Sequence, residues 1–275
     1  MTARTSICCR PDRPELAIGS EDGSVVIVSF VDGTLTNLDN LGAHVARTHW
    51  STTGLFVGAL NGMLHVRSAD GRELRQAIDT GHGAVRGLAV HDNRFVTCGY
   101  DAKAALWDVG SLQKIVETPV PKSDRQVSAT ACALVPGAIV VGYSDGFFEA
   151  WNDTSLENLA GGEVFPSEVY AMGVNAERST IVMGGSRGKM VSVIAQRWVA
   201  GTVWKNTPPK PIAVNSIEFR RRRQVRGRVL RRQCRVVRLD RCSGRLAAGR
   251  GLLAAFAEAR MDARDDRVGR VLHRL

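Results

Sequence analysis

A strand–turn–strand pattern recurs five times along the first 219 residues, and this periodicity limits the fold more than any other property of the chain. The units read Leu16–Gly19, turn Asp22-Gly23, Val25–Phe30; Leu55–Gly58, turn Asn61-Gly62, Met63–Val66; and Arg94–Thr97, turn at Asp101, Ala104–Asp108. Two more read Ala138–Val141, turn Asp145-Gly146, Phe147–Asn152, and Thr180–Met183, turn Arg187-Gly188, Lys189–Ala195. The turns at 22, 61, 101, 145 and 187 are separated by 39, 40, 44 and 42 residues. Asp-Gly and Asn-Gly tolerate the positive φ of tight hairpins, and short β-branched or aromatic runs flank them.

An opening strand precedes each hairpin: Ser6–Cys9, Val45–Trp50, Val85–Val90, Val127–Leu134 and Val169–Val174. A sixth begins at Ile212–Phe219 and loses the pattern. Units of this length with four short strands each are the signature of propeller blades. The third unit adds Gly81-His82 before its first strand, Thr97 in the second, Asp101 in the turn and Trp107-Asp108 at the end of the third. With this Gly-His…Trp-Asp pattern, residues 5–219 resemble the WD-repeat β-propeller family. The resemblance implies an all-β propeller in which His82, Thr97, Asp101 and Trp107 form a hydrogen-bonded chain inside one blade. Blades are expected at about 5–41, 42–81, 82–126, 127–168 and 169–211, with 212–219 starting the next. The fourth unit keeps Asp145 and Trp151 but lacks Gly-His, while Val28, Arg67 and Val193 stand at the Trp position elsewhere. Five blades leave the ring incomplete, so further blades come from another chain or the sequence is an incomplete gene product.

Charge divides the chain at Phe219. Residues 220–275 hold 18 Arg, no Lys and 5 acids, a net +13, whereas the first 219 residues carry −3. A basic total of +10 therefore says nothing about the repeats. The period stops where Arg220-Arg221-Arg222-Arg223 begins, which points to a tail that is disordered or translated out of frame. If genuine, the tail supplies phosphate-binding density, although with Phe256 as its one aromatic it lacks base-stacking partners.

The sequence offers catalysis nothing to stand on. The six histidines, 44, 49, 65, 82, 91 and 273, share no ligand spacing with one another or with cysteine, so no metal or other cofactor is expected. Gly184-Gly185-Ser186-Arg187-Gly188-Lys189 has neither P-loop spacing nor a following helix and reads as the fifth hairpin turn. Cys8-Cys9 reads as one core and one partly exposed thiol, and Cys98 and Cys132 as core fillers. Six cysteines without C-x-x-C fit a reducing compartment, so the cytoplasm is expected, or the nucleus if the tail is genuine. No apolar run reaches the 18 or so residues of a membrane span.

What remains is surface. The expected role is a non-catalytic, intracellular protein–protein interaction scaffold, a subunit of a larger complex presenting loops on a rigid ring, with no small-molecule substrate. Candidate partner contacts are Arg47, His49, Arg86, His91, Tyr100, Lys103, Tyr143 and Tyr170, whereas Trp50 is expected to pack between blades. The alternative is an RNA- or chromatin-associated propeller that uses the Arg-rich tail, its only route to nucleic acid, for phosphate binding.

Overall fold

A computed structural model describes residues 4–121, 126–175, 177–186, 189–205, 216–219 and 234–237. Five four-stranded antiparallel meanders account for most of them. Sheet 1 is β1 (Arg4–Cys9), β2 (Glu15–Ser20), β3 (Val25–Ser29) and β4 (Leu35–Asn37). Sheet 2 is β5 (Val45–Trp50), β6 (Leu55–Ala59), β7 (Met63–Arg67) and β8 (Leu74–Asp79). Sheet 3 is β9 (Val85–His91), β10 (Arg94–Gly99), β11 (Ala104–Asp108) and β12 (Lys114–Glu117). Sheet 4 is β13 (Ala129–Val135), β14 (Ala138–Tyr143), β15 (Phe147–Asn152) and β16 (Asn158–Glu163). Sheet 5 is β17 (Ala171–Val174), β18 (Thr180–Gly184), β19 (Lys189–Ile194) and β20 (Val199–Lys205). Then β21 (Ser216–Phe219) pairs antiparallel with β22 (Cys234–Val237), the part of the Arg-rich tail that falls within the described residues.

Four of the central hairpins are set by their turn residue, and the fifth turn, Arg187-Gly188, lies outside the described residues. Asp22, Asn61, Asp101 and Asp145 each accept a hydrogen bond on the side chain from the backbone N–H two residues on, at 3.0–3.2 Å. The next residue takes positive φ: Gly23, Gly62 and Gly146 at 83–90°, and Ala102 at 62°. The third turn thus holds a left-handed conformation without glycine. The strands begin and end close to the expected positions, with one informative difference in sheet 5. There Val169 lies before the strand, because its N–H donates to the Tyr143 carbonyl of sheet 4.

Alternation puts apolar side chains on both faces of each sheet, and each face packs on the next sheet. Ala17, Val25 and Ile27 meet Val45, Leu55 and Val57; Phe56, Leu64 and Val66 meet Phe95, Ala105 and Trp107. Val96, Cys98, Ala104 and Leu106 meet Ala129, Ile139, Val141 and Trp151, and Val140, Phe148 and Ala150 meet Ile181, Met183 and Val193. Val182 then meets Ile217 of β21. Three of the opening strands are rich in small residues, with Gly87 and Ala89 in β9, Ala129, Ala131 and Ala133 in β13, and Ala171 and Gly173 in β17. The bulk of Phe56, Phe95, Trp107, Ile139 and Trp151 sits on the middle strands. Side chains that taper this way turn a stack of sheets into a wedge-by-wedge arc.

The arc is measured by one hydrogen bond. Arg47 Nη2, on β5 of sheet 2, donates to the carbonyl of Tyr170, just before β17 of sheet 5, at 3.2 Å. Sheets packed face to face lie about 10 Å apart, so a flat stack would separate sheets 2 and 5 by about 30 Å. One arginine cannot span that distance; the opening strands must gather round a common axis. The arrangement is all-β and propeller-like, and no closed ring is present among the described residues.

A repeated notch sets the spacing between neighbouring sheets. An ideal Cβ on Gly19 would lie 2.3 Å from Val45 Cγ1, on Gly58 2.5 Å from Val85 Cγ1, and on Gly142 2.7 Å from Val169 Cγ1. In the one seam where that glycine is Cys98, the facing residue is Ala129 instead of valine, and both are fully buried in one cluster. Volume is exchanged across the seam and its sum is kept. Gly58→Ala is expected to destabilise by about 1–3 kcal/mol, because Val85 is stiff at χ1 and cannot swing aside. Adding Val85→Ala should return part of that loss, a non-additivity of about 0.5–3 kcal/mol in a denaturation double-mutant cycle; simple additivity would refute the notch.

Candidate interaction face

The loops divide between two ends of the opening strands. At one end, the hairpin turns are tied to the loops that enter each sheet: Leu60 N–H donates to His44 O, Thr80 N–H to Gly62 O, Tyr100 N–H to His82 O and Val164 N–H to Gly146 O. The other end carries the tight turns at Asp92-Asn93 and Pro136-Gly137, and Arg178 N–H donates to Asn175 O there.

Inside sheet 3 a polar relay runs from the entering loop to the third strand. His82, 1% exposed, places Nδ1 2.9 Å from both Asp101 carboxylate oxygens and Nε2 3.0 Å from Thr97 Oγ1. Trp107 Nε1–H donates to the same Thr97 oxygen at 2.9 Å. One proton assignment satisfies every member. Trp107 donates to Thr97, the Thr97 hydroxyl donates to His82 Nε2, and Nδ1–H donates to Asp101. Sheet 4 keeps the tryptophan without the relay. Val141 stands where Thr97 stands in sheet 3, and buried Trp151 Nε1 makes no hydrogen bond of ordinary length, with the Tyr143 hydroxyl beside it. Sheet 2 puts Arg67 at the tryptophan position; it is 2% exposed and is held by the Arg72 carbonyl at 2.7 Å and Asp39 at 3.1 Å.

The eight candidate contact residues do not form one patch. Arg47, Arg86, Tyr100, Lys103 and Tyr170 gather at the hairpin end. Arg86 Nη2 donates to Glu168 Oε1 at 2.6 Å, and its guanidinium lies 5.6 Å from the Tyr100 ring centre. Tyr100 is 53% exposed. Arg47 donates to the carbonyls of Ala46 and Tyr170 at 3.1 and 3.2 Å. Tyr170 enters this group through its backbone, its N–H donating to Gly184 O at 2.9 Å. Lys103 Nζ pairs with Glu117 at 3.0 Å, which raises its pKa and leaves it turned outward beside the group.

His49 and His91 lie apart from that group. His91, 40% exposed, pairs with Asp92 at 3.0 Å on the opposite end, in a shallow polar cleft with Arg94, Asp153 and Arg178. Burial, and after it the charge of His91, lowers the His49 pKa to about 4. Tyr143 corrects the sequence reading. Its side chain is fully buried and its hydroxyl donates to Glu149 at 2.8 Å, so it is core and not surface. The position explains this, since Tyr143 ends an inner-facing strand whose neighbours pack on sheet 3. Trp50 is buried, as expected, with Nε1 donating to the Ala69 carbonyl at 3.0 Å. Cys8, Cys98 and Cys132 are buried and Cys9 is exposed. The acid that organises Arg86, Glu168, was not among the sequence candidates; its only signal is an acidic residue in the loop entering an opening strand.

Comparison with known proteins places the chain near one family. It is 22% identical over 195 residues to the WD repeat-containing protein 55 homologues of Drosophila persimilis and Drosophila pseudoobscura pseudoobscura. The match covers 68% of this chain and 38% of each relative. Among solved structures it is similar to the computationally designed Ika8 protein, with a TM-score of 0.62 and 18% identity, over 80% of this chain and 66% of that one. The chain matches no family profile. Together these support a WD-repeat relationship and the propeller-like fold.

Two outcomes test the interior. Thr97→Val leaves His82 Nε2 and Trp107 Nε1–H without partners and is expected to cost about 2–5 kcal/mol, whereas Val141→Thr gives Trp151 an acceptor and should cost less than about 1 kcal/mol. Equal costs for the two would show that the relay contributes nothing beyond packing. For His49 the folded pKa lies below the unfolded value of about 6.5, so the unfolded chain binds the proton first as pH falls. Stability should drop, on the order of 2 kcal/mol, between pH 6.5 and 4 and level off below; His49→Asn should flatten that slope in urea titrations.

Proposed function

We propose that the protein is a non-catalytic scaffold, a subunit of a larger intracellular complex, that binds a protein partner at the hairpin end of its opening strands. The observation that carries this reading is Arg86 stacked on the half-exposed Tyr100 and anchored by Glu168 at 2.6 Å. Arginine and tyrosine dominate binding energy at interfaces, and here both are held in place before a partner arrives. The framework beneath is rigid: the Thr130 hydroxyl donates to the Val169 carbonyl at 2.7 Å, with Gly142 O as a second acceptor 3.1 Å away, fixing the segment that carries Glu168. The WD-repeat relatives support the same coarse role. Nucleic-acid binding through the Arg-rich tail depends mainly on residues outside the described part, and no observation favours it.

Cross-linking mass spectrometry on the tagged full chain in cells tests the reading. Partner cross-links should concentrate near Lys103 and fall at least about tenfold in abundance with Arg86→Glu/Tyr100→Ala. A variant of the opposite end, Asp92→Ala, should leave them in place. Partners retained by the first variant and lost by the second would move the interface to the other face.

A further inference from the structure

Two guanidinium groups reach the same three residues of the segment entering β17, and the carboxylate there pairs with one of them. Arg86 bonds Glu168 and Arg47 bonds the Tyr170 carbonyl, two residues further on. Arg47 has no carboxylate within ion-pair distance among the described residues; its hydrogen bonds go to neutral carbonyls. Burial lowers its pKa and the charge of Arg86 lowers it further, with the more distant Glu168 charge offsetting only part of this. A half-buried cation beside a second one is a costly arrangement unless an anion completes it.

We propose that Arg47 and Arg86 form an oxyanion-receiving site that takes one carboxylate or phosphate group from the side chain of an acidic peptide. This rests on the hairpin end being the interaction face and names the chemistry of the partner there. The platform is built before binding. Val169, between the two contact residues, is fully buried, and its N–H and carbonyl are engaged by Tyr143 and Thr130 of sheet 4. An incoming oxyanion therefore meets donors whose positions are already fixed, and each charge-assisted bond is about twice as strong as a neutral one. The Tyr100 ring beside Arg86 offers an apolar wall for the residue that flanks the anion. A peptide fits better than nucleic acid, because a phosphate backbone is held by many cations along a track and this site is a single point on a repeat region of net charge −3.

The experiment uses the full chain and three fluorescent Gly-Ser peptides that carry central glutamates, phosphoserine or lysines. Fluorescence anisotropy should show binding of the first two and not the third. The relative strength of the first two tells carboxylate from phosphate. Arg47→Gln and Arg86→Gln should each weaken acidic-peptide binding at least about tenfold, and Arg47→Lys should restore part of it by returning the charge without the fork. Thermal melts identify any variant that fails to fold, and Arg86→Gln, on the more exposed residue, then carries the test. Because the Arg-rich tail is present in all variants, unchanged binding by both glutamine variants would mean that the tail holds the peptide, and would overturn the site. So would absence of acidic-peptide binding, or release of the peptide by a single-stranded RNA whose own binding is lost in the same variants. If the peptides fail while Arg86→Glu/Tyr100→Ala still removes cross-linked partners, the face stands and its anion chemistry falls.

Discussion

The hydrogen bond from Arg47 to the Tyr170 carbonyl joins the second sheet to the fifth, and everything at the hairpin end follows from the geometry that makes it available. It is within reach because three opening strands, β9, β13 and β17, carry glycine and alanine where the middle strands carry phenylalanine, isoleucine and tryptophan. Small residues let backbones approach at the centre, large ones hold them apart outside, and each sheet acts as a wedge. Twist then keeps successive sheets from stacking flat. The notch glycines fix how closely each pair can seat. At Gly19, Gly58 and Gly142 a valine of the following sheet fills the missing side chain, and at Cys98 the valine becomes Ala129.

Much of this was legible in the sequence, for a physical reason. Hairpin turns and alternating strands are local, so Asp22-Gly23, Asn61-Gly62 and Asp145-Gly146 announce themselves within ten residues. Strands Val45–Trp50, Ala104–Asp108 and Phe147–Asn152 stand where the pattern puts them. The outer strands β4, β8, β12, β16 and β20 were expected as a count and never located. They are short or mixed, such as Leu35–Asn37, and pair by one edge only, so packing leaves little imprint on their composition. The contact residues were legible in type and not in place. Nothing local to Tyr143 says that its ring points into the seam with sheet 3, nor that Glu168 will meet a side chain 82 residues earlier.

The sheets also show that one blade geometry admits several interiors. Sheet 3 satisfies its buried polar groups with a four-residue relay, sheet 4 keeps the tryptophan beside Val141, and sheet 2 seats a buried arginine against Asp39 and a carbonyl. Hydrophobic burial between sheets is common to all of them and holds the fold; the relay adds definition to one blade. That is why the motif is strong in one unit and faint in the others while the period persists throughout.

The same logic separates fold from function. A long cation stands out at the axis of the arc: Ser6 in β1, Gly87 in β9, Ala131 in β13 and Ala171 in β17 occupy the register that Arg47 occupies in β5. An arginine at a position where the other sheets use serine, glycine and alanine takes on a desolvation cost. Arg86 likewise sits at the β-bulge where sheets 1 and 4 place Thr5 and Thr130, which tie one sheet to the next through carbonyl oxygens. In sheet 3 that tie is replaced by a charge aimed across the axis at Glu168. Both guanidinium groups bond to the segment that enters sheet 5, so they join sheets that are not neighbours in the stack, which the threonine ties do not do.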